Sequence, residues 1–301
     1  MTTTTAQPMM AFGTDGTTLA YGVSAPDRGT SAQPLTLWDV RRARIRTTLD
    51  LAAPSAMSAA VEELALGPGG RLLVAVRDNS AGTTDAEVWD TAGHRRTADL
   101  GNLDATALAL RPDGGLLVGG DRVAAPPSGR STSRTLGLGQ ETEAVAFSAD
   151  GSRGAVGDAS GRVALWDGNL RHRLGVLPNT FPAPVGSGDP EAVAALTFSP
   201  DGATLAVAGD SGTLQLWDTA NRQPLGSGLT TPGEALTSLA FTTDGTSLYA
   251  TSLHAPVQRY PVTPAHAATW ICAHTDTTLT AAEWHTYIPD ASYRDVCPGN
   301  G

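Results

Sequence analysis

The stretch FSPDGATLAVAGDSGTLQLWD, residues 198–218, contains two short apolar segments separated by turn residues. Apolar and polar or small residues alternate in TLAVA (204–208) and in TLQLW (213–217), the pattern of half-buried strands. Asp-Gly at 201–202 is a hairpin signal, because glycine accepts a positive φ without steric penalty. We therefore predict a strand before the Asp-Gly turn and two strands after it.

This pattern occurs six times along the chain, roughly every 46 residues. In the fourth, fifth and sixth copies an aromatic residue follows the turn aspartate by 16 positions, and in the sixth copy it is Tyr260 in place of tryptophan. The third copy has no such residue in SRTLGLG, which begins at Ser133. The residues before the turn glycines are Asp15, Gly69, Asp113, Asp150, Asp201 and Asp244, and Trp-Asp occurs at 38–39, 89–90, 166–167 and 217–218.

Four short strands per repeat with a recurrent Trp-Asp resemble the WD-repeat (WD40) family of β-propellers, over roughly residues 7–262. The resemblance implies an all-β fold of six recognisable four-stranded blades, or seven if one blade is hidden. It divides the chain into a propeller at 1–262 and a helical tail at 263–301, packed on the propeller. TTTTAQ, at 2–7, is one candidate for the strand that closes the ring, and the alternative is that the chain is the terminal part of a longer array.

The Gly-His dipeptide that usually opens a WD repeat is missing from all six copies. The hydrogen-bonded tetrad that links histidine, aspartate, serine or threonine, and tryptophan in the family therefore cannot form in the usual way. We expect the sheets to rely more on packing.

The composition excludes several functions. The net charge is −10 and all 20 basic residues are arginine. A nucleic-acid surface needs a basic footprint, and the few arginine pairs do not supply one. Without lysine there is no P-loop or Schiff-base chemistry. With no long apolar run and no signal-peptide pattern, we predict a cytoplasmic protein without membrane contact.

The letters Gly-Asp-Ser-Gly at 209–212 also occur around the nucleophile of chymotrypsin-like proteases. The upstream histidines, His94 and His172, lie in predicted turns, so a catalytic triad is not expected. His266, Cys272 and His274 lack paired metal-ligand spacing. We predict no catalytic residues, metal or cofactor. The alternative is a propeller enzyme, lactonase-like or quinone-dependent, with a site at the central channel, but the first strands (AVAAL, EAVAF, LTSLAF) offer mostly small apolar residues.

The tail has helical signals. Thr263 is a predicted N-cap followed by Pro264, and Thr280 with Glu283 forms a capping box that predicts a second helix at about 281–287. Leu279 and Trp284 have the spacing of its hydrophobic staple. Trp270, Trp284 and Tyr287 are expected to cap the last blade. Cys272 and Cys297 either pair or stay free.

The segment TWICAHTDTTLTAAEWHTYIPDASYRDVCP, beginning at Thr269, resembles the C-terminal signature of actinobacterial WD-repeat proteins. In those proteins the propeller often follows a signalling ATPase module of the STAND (NB-ARC) type. The resemblance implies a sensor or partner-binding role.

Strand order predicts where a partner binds. Turns between strands one and two, and between three and four, lie at one end of a blade, and they are short. Longer insertions fall at the other end, at 23–34, 51–60, 77–85, 121–133 and 178–190. Insertions concentrated on one face indicate either a binding face or long loops without a function, which are tolerated because the cost of loop closure grows slowly with length. We predict a monomeric, non-catalytic scaffold or sensor that binds a protein, with no nucleic acid, through Arg28, Asp78, Asn79, Arg122, Arg130, Phe181 and Pro182.

Overall fold

The computed structural model describes residues 7–24, 32–53, 60–78, 82–103, 107–178, 180–181, 190–263, 269, 272, 279–293 and 297. These residues form six antiparallel sheets, called sheets one to six in chain order, and one helix. In every sheet the strands lie in sequence order, so each strand pairs with the next one along the chain. This is the up-and-down arrangement that the repeat predicts.

The first three sheets contain strands β1 to β12. Sheet one has β1 (Gln7–Phe12), β2 (Thr18–Ser24), β3 (Ala32–Asp39) and β4 (Arg44–Ala52). Sheet two has β5 (Glu63–Leu66), β6 (Leu72–Asp78), β7 (Thr84–Asp90) and β8 (Arg95–Asp99). Sheet three has β9 (Ala109–Leu110), β10 (Leu117–Gly119), β11 (Arg122–Ala125) and β12 (Arg130–Ser133).

The last three sheets contain β13 to β23. Sheet four has β13 (Thr142–Phe147), β14 (Arg153–Asp158), β15 (Val163–Asp167) and β16 (Arg173–Leu177). Sheet five has β17 (Val193–Phe198), β18 (Thr204–Gly209), β19 (Leu214–Asp218) and β20 (Gln223–Pro224). Sheet six has three strands in the described region, β21 (Leu236–Phe241), β22 (Ser247–Ser252) and β23 (Gln258–Pro261).

The register confirms the repeat. The residue four positions after the turn marker pairs with the aromatic residue of the third strand, as Leu205 does with Trp217. Leu248 pairs with Tyr260 in the same way, so Tyr260 takes the tryptophan position of sheet six. In sheet three that position belongs to Ala124, which pairs with Leu117.

Sheet three corrects the predicted insertion at 121–133. Only Gly120 and Asp121 connect β10 to β11, and the segment itself consists of β11, a short 3-10 turn and β12. The third strand therefore begins earlier than predicted, because its connection is as short as a two-residue hairpin. Strand residues also occupy parts of the segments 23–34, 51–60 and 77–85, so those connections are shorter than expected.

The sheets pack face to face, and in sheets two to six the face that has the tryptophan position packs against the preceding sheet. Leu205 and Trp217 of sheet five pack with Leu165 and Leu177 of sheet four. Trp89 of sheet two packs in the same way on sheet one. Five hydrophobic clusters of this kind join sheets one to six in order. Each fully buried large apolar side chain contributes about 1.5–3 kcal/mol to stability.

The first strands of sheets two to six, or the residues just before them, line one common cavity of ≈ 390 Å³. This arrangement is consistent with a WD40-like propeller. In the part of the chain that the structure describes, no hydrophobic cluster joins sheet six to sheet one. Ring closure and the number of blades therefore stay predictions.

The turn aspartates and the Trp-Asp aspartates organise the hairpins. Asp201 Oδ1 accepts hydrogen bonds from the Ser199 hydroxyl (2.5 Å) and the Ala203 backbone N–H (3.0 Å). Asp218 accepts from the backbone N–H groups of Ala220 and Asn221, both at 2.8 Å. These bonds satisfy backbone donors that the strand ladder leaves unpaired.

The tryptophans agree with the expectation that packing replaces the family's tetrad. The indole N–H groups of Trp166 and Trp217 are buried and have no hydrogen-bond partner among the described residues. The indole N–H of Trp89 instead donates to Glu87 Oε2 at 3.0 Å.

In the tail, helix α1 (Ala281–Tyr287) begins as predicted at Thr280, whose hydroxyl accepts from the Glu283 N–H. Trp284 is buried; its indole N–H donates to the Ala291 carbonyl (2.9 Å) and its ring lies edge-on to Tyr293. Tyr287 is largely exposed, so its predicted packing is wrong.

The rest of the tail is described only in part. Cys272 and Cys297 form a disulfide bond. Trp270 and most of the first predicted helix lie outside the described residues, and so do His266 and His274. The packing of the tail on the sheets stays a prediction. No helix in the described part of the chain is both long and apolar enough to cross a membrane.

Candidate functional site

Three of the predicted partner-binding residues, Arg28, Asn79 and Pro182, lie outside the described residues. Two others lie at the end of the sheets where second strands connect to third strands, which we call the loop end. Asp78 is exposed at the last position of β6, and Arg122 is half-buried at the first position of β11. The loop end therefore holds two of the predicted residues.

Arg130 and Phe181 are placed differently. Arg130 begins β12 at the opposite end, where first strands connect to second strands and third to fourth, which we call the turn end. Phe181 packs partly buried against the hydrophobic cluster between sheets four and five. Arg130 was assigned to the loop end because 121–133 was interpreted as an insertion, and the strands found there explain the difference.

Ser211 lies in a tight turn, as predicted. Its backbone N–H donates to Glu191 Oε1 at 3.1 Å and its hydroxyl donates to the adjacent Asp210 at 3.3 Å. The described histidines with side-chain partners bond elsewhere: His94 contacts Thr47, His172 contacts Asp167 and His254 contacts Glu234. Nothing in this turn resembles a nucleophile with its base.

The common cavity contains side chains that the sequence analysis missed. Ala144, Ala194 and Ala195 line it, in agreement with the expected small residues, but Glu63 and Glu143 line it too. Loss of solvent raises the pKa of Glu63 above its usual range. Within the described ranges, no three histidine, cysteine, aspartate or glutamate side chains are placed to hold a metal ion.

A second unpredicted feature lies at the turn end between sheets one and two. It is a depression of ≈ 670 Å³, which we call the arginine depression. The third-to-fourth turn of sheet one supplies one wall and the first turn of sheet two supplies the other. Its charged lining consists of one aspartate, Asp39, and five arginines: Arg41, Arg42, Arg44, Arg46 and Arg71.

Hydrogen bonds hold the two walls together. The Arg46 guanidinium donates to the Gly69 carbonyl, and the Gly69 N–H donates to Asp15 Oδ2 at 2.8 Å. On sheet two, the Thr91 hydroxyl donates to the Gly70 carbonyl at 2.6 Å. The first two bonds connect sheet one to the first turn of sheet two, and the third holds that turn within sheet two, so the backbone under the arginines is fixed.

The arginines of the depression differ in their partners. Arg42 forms a salt bridge with Asp39 at 2.9 Å, and hydrogen bonds from the Arg42 backbone and side chain lower the pKa of Asp39. Arg41, Arg44 and Arg71 form no salt bridge with any residue that the structure describes.

The sequence signal for this depression is RRARIR at 41–46, which contains four of the 20 arginines. The negative net charge of the whole chain, −10, concealed this local cluster of positive charge. Arg71 comes from the next repeat, so only the packing of sheet two on sheet one shows that it joins them.

Comparison with known protein families supports the fifth copy of the repeat as a WD40 repeat. Residues 179–218 match the family model described as "WD domain, G-beta repeat", and this segment ends with the first three strands of sheet five. No curated protein matches the chain. A WD40 repeat at 179–218, within a chain of six similar antiparallel sheets, is therefore what the comparisons establish.

Proposed function

We propose that the chain is a non-catalytic interaction module of the WD-repeat type, which binds a protein partner through the exposed ends of its sheets. The WD40 match supports this proposal, because such repeats generally mediate protein–protein interactions. The proposal includes a sensor role in bacterial signalling, supported by the resemblance of the tail to that of actinobacterial STAND-type proteins. It also includes a monomeric, cytoplasmic state.

The observation that carries the proposal is the packing of the sheets. Val74 and Leu73 of β6 point to opposite faces of sheet two and are both fully buried, and Leu205 and Ala206 repeat this arrangement in sheet five. Sheets buried on both faces form a rigid body whose exposed variation lies at the strand ends. Rigid scaffolds that present variable connections are a common basis for binding.

The test is affinity capture from cells of the source organism, with the full chain immobilised. A specific partner should bind directly to the purified chain. Asp78→Ala with Arg122→Ala, at the loop end, tests the predicted surface, and loss of binding there would support it. Failure of every captured protein to bind directly when purified would contradict the proposal.

A hydrolase and oxidoreductase screen tests the alternative of a channel enzyme. Glu63→Gln changes a carboxylate in the lining of the common cavity, and Glu62→Gln changes an equally exposed neighbour outside that lining as a matched control. Turnover that Glu63→Gln abolishes and Glu62→Gln preserves would replace the interaction module with an enzyme. Light scattering of the purified chain checks the monomeric state.

A further inference from the structure

We infer that the arginine depression binds a short acidic segment of a protein partner, one that carries several carboxylates around an apolar side chain. This inference rests on the proposed function, because it names the chemistry of the partner and a surface that receives it. The surface lies at the turn end, opposite the loop end at which the sequence places the binding residues.

The first argument is uncompensated charge. The depression brings five guanidinium groups together with one carboxylate, and that carboxylate is already paired with Arg42. Like charges in one depression repel each other. Arg44 lies opposite Asp39 and is attracted to it from beyond salt-bridge distance, whereas Arg41 and Arg71 have no salt-bridge partner among the described residues. An anion placed between the arginines would remove the repulsion.

The neighbouring arginines provide a contrast within the same end of the molecule. Arg95 lies 3.6 Å from Asp90, and Arg96 lies 2.9 Å from Asp99. Sheet two thus provides acidic partners for Arg95 and Arg96, whereas Arg71 of its first turn forms no salt bridge with a described residue. The depression differs from these turns in gathering five arginines around one carboxylate.

The second argument is preorganisation. The bonds from Arg46 to Gly69 and from Gly69 to Asp15 fix the two walls before any ligand arrives. Guanidinium groups present paired N–H donors that match carboxylates bidentately. A ligand that binds to a fixed array of this kind loses less free energy to ordering of the protein.

The third argument selects the ligand class. The whole chain has a net charge of −10, so its surface outside the depression is strongly acidic. A long polyanion such as RNA, or an anionic membrane, would extend beyond the depression and meet that repulsion. A short acidic segment would not.

Apolar groups beside the arginines favour a peptide over a free anion. Ile45 is 57% exposed and stands in the lining between Arg44 and Arg46, and Val40 is exposed in the preceding turn. Exposed aliphatic side chains within a charged rim give a bound peptide an apolar contact. A peptide with an apolar residue among its carboxylates uses both features.

The test uses a fluorescein-labelled ten-residue peptide of Asp and Glu with a central Leu, and its Asn/Gln analogue, titrated with the full chain. Anisotropy at low and at physiological salt gives the affinities. We expect binding of the acidic peptide alone, weakening with salt. Arg44→Ala with Arg71→Ala should weaken it at least tenfold. The control, Arg171→Ala with Arg173→Ala, removes two exposed arginines of sheet four and should change it less than twofold.

Three results would overturn the inference: no binding of the acidic peptide, equal weakening by both double variants, or equal or tighter binding of single-stranded RNA or phosphatidylserine vesicles. Equal urea midpoints for the two double variants show that both fold. If a captured partner still binds the Arg44→Ala, Arg71→Ala variant at full strength, the inference fails while the proposed interaction module stands. If no partner binds the wild type either, the proposed function fails.

Discussion

Sheets one and five share the repeat pattern, with phenylalanine and tryptophan at equivalent positions, but these side chains differ in how deeply they are buried. In sheet five, Phe198 is 7% exposed and Trp217 is 1% exposed, both packed against sheet four. In sheet one, the equivalent Phe12 is 58% exposed and the equivalent Trp38 is only partly buried. The other face of sheet one, which contacts sheet two, is as fully buried as its counterparts.

The difference shows that the repeat residues make one face of each sheet apolar. That face becomes buried only where a preceding sheet packs against it. Phe12 and Trp38 lie on a face with no preceding sheet among the described residues. The described contacts therefore hold sheet one from one side, and equivalent substitutions in the two sheets should have unequal effects.

The largest difference is expected for the tryptophans. Trp217→Ala should lower the free energy of unfolding by about 4 kcal/mol, because it leaves a cavity between sheets four and five. Trp38→Ala should cost about 1 kcal/mol, because water already reaches that side chain. Urea unfolding measures both, and equal losses would contradict the comparison.

A slightly smaller effect is expected at the contact that holds sheet one. Arg77 is fully buried, pairs with Glu87 at 3.2 Å and donates to the Leu51 carbonyl of sheet one at 2.8 Å. Arg77→Met should lower the free energy of unfolding by about 3 kcal/mol, since Glu87 is then left in the core with Arg96 at 3.6 Å as its remaining cation.

The matched control is Arg77→Met together with Glu87→Leu, which should recover part of that loss because no buried charge remains. Denaturation by urea compares the two variants. A loss below about 1 kcal/mol for Arg77→Met would show that the buried Arg77 does not hold sheet one.

Acid should affect the first turns of the five sheets that have a turn aspartate in the same direction, because the pKa of that aspartate is lowered in sheets one and five alike. Hydrogen bonds from Ser148 and Ser152 lower the pKa of Asp150 from 3.8 to about 2, and bonds from Thr242 and Thr246 do the same for Asp244. A carboxyl group whose pKa is lower in the folded than in the unfolded state stabilises the fold at pH values above its unfolded pKa. That stabilisation is lost as the pH falls through the folded pKa.

The melting temperature should therefore fall between about pH 4 and pH 2. Asp150→Asn with Asp244→Asn should flatten this part of the profile. Thermal unfolding followed by circular dichroism at successive pH values checks it, and an unchanged slope in the variant would assign the acid sensitivity to other carboxylates.

The smallest effect is expected for Phe12→Ser, which should change the free energy of unfolding by no more than about 0.5 kcal/mol, as for most surface substitutions. Its counterpart Phe198→Ser removes a core side chain and should cost more than about 3 kcal/mol. A loss above about 2 kcal/mol for Phe12→Ser would show that another sheet covers this face in solution.

The strands and hairpins were predictable because their signals are local. Asp201-Gly202 and the alternation around it were sufficient for sheet five, and spacing alone placed Tyr260. Sheet three was misinterpreted because Ala124 stands in the tryptophan position and a two-residue connection places it earlier than in other repeats. The unequal burial of Phe12 and Phe198 depends on neighbouring sheets, which the letters do not encode.

The candidate site was less predictable. The arginines at 41–46 are visible in the sequence, but their significance depends on their excess over the one lining carboxylate, Asp39, and on Arg71, which is distant in the chain. The net charge of the whole chain sums over all residues and therefore does not show a local cluster of arginines. Glu63 and Glu143 reach one cavity only because separate first strands converge there.

The pairwise hydrophobic clusters have a consequence for cooperativity. Each hydrophobic cluster in the described residues spans two consecutive sheets, so apolar packing couples neighbouring sheets, as in a one-dimensional chain of linked units. The free energy of opening a sheet then depends on how many neighbours it has. Sheets one and six should exchange their amide hydrogens faster than sheets three and four, even though every sheet is built from the same repeat.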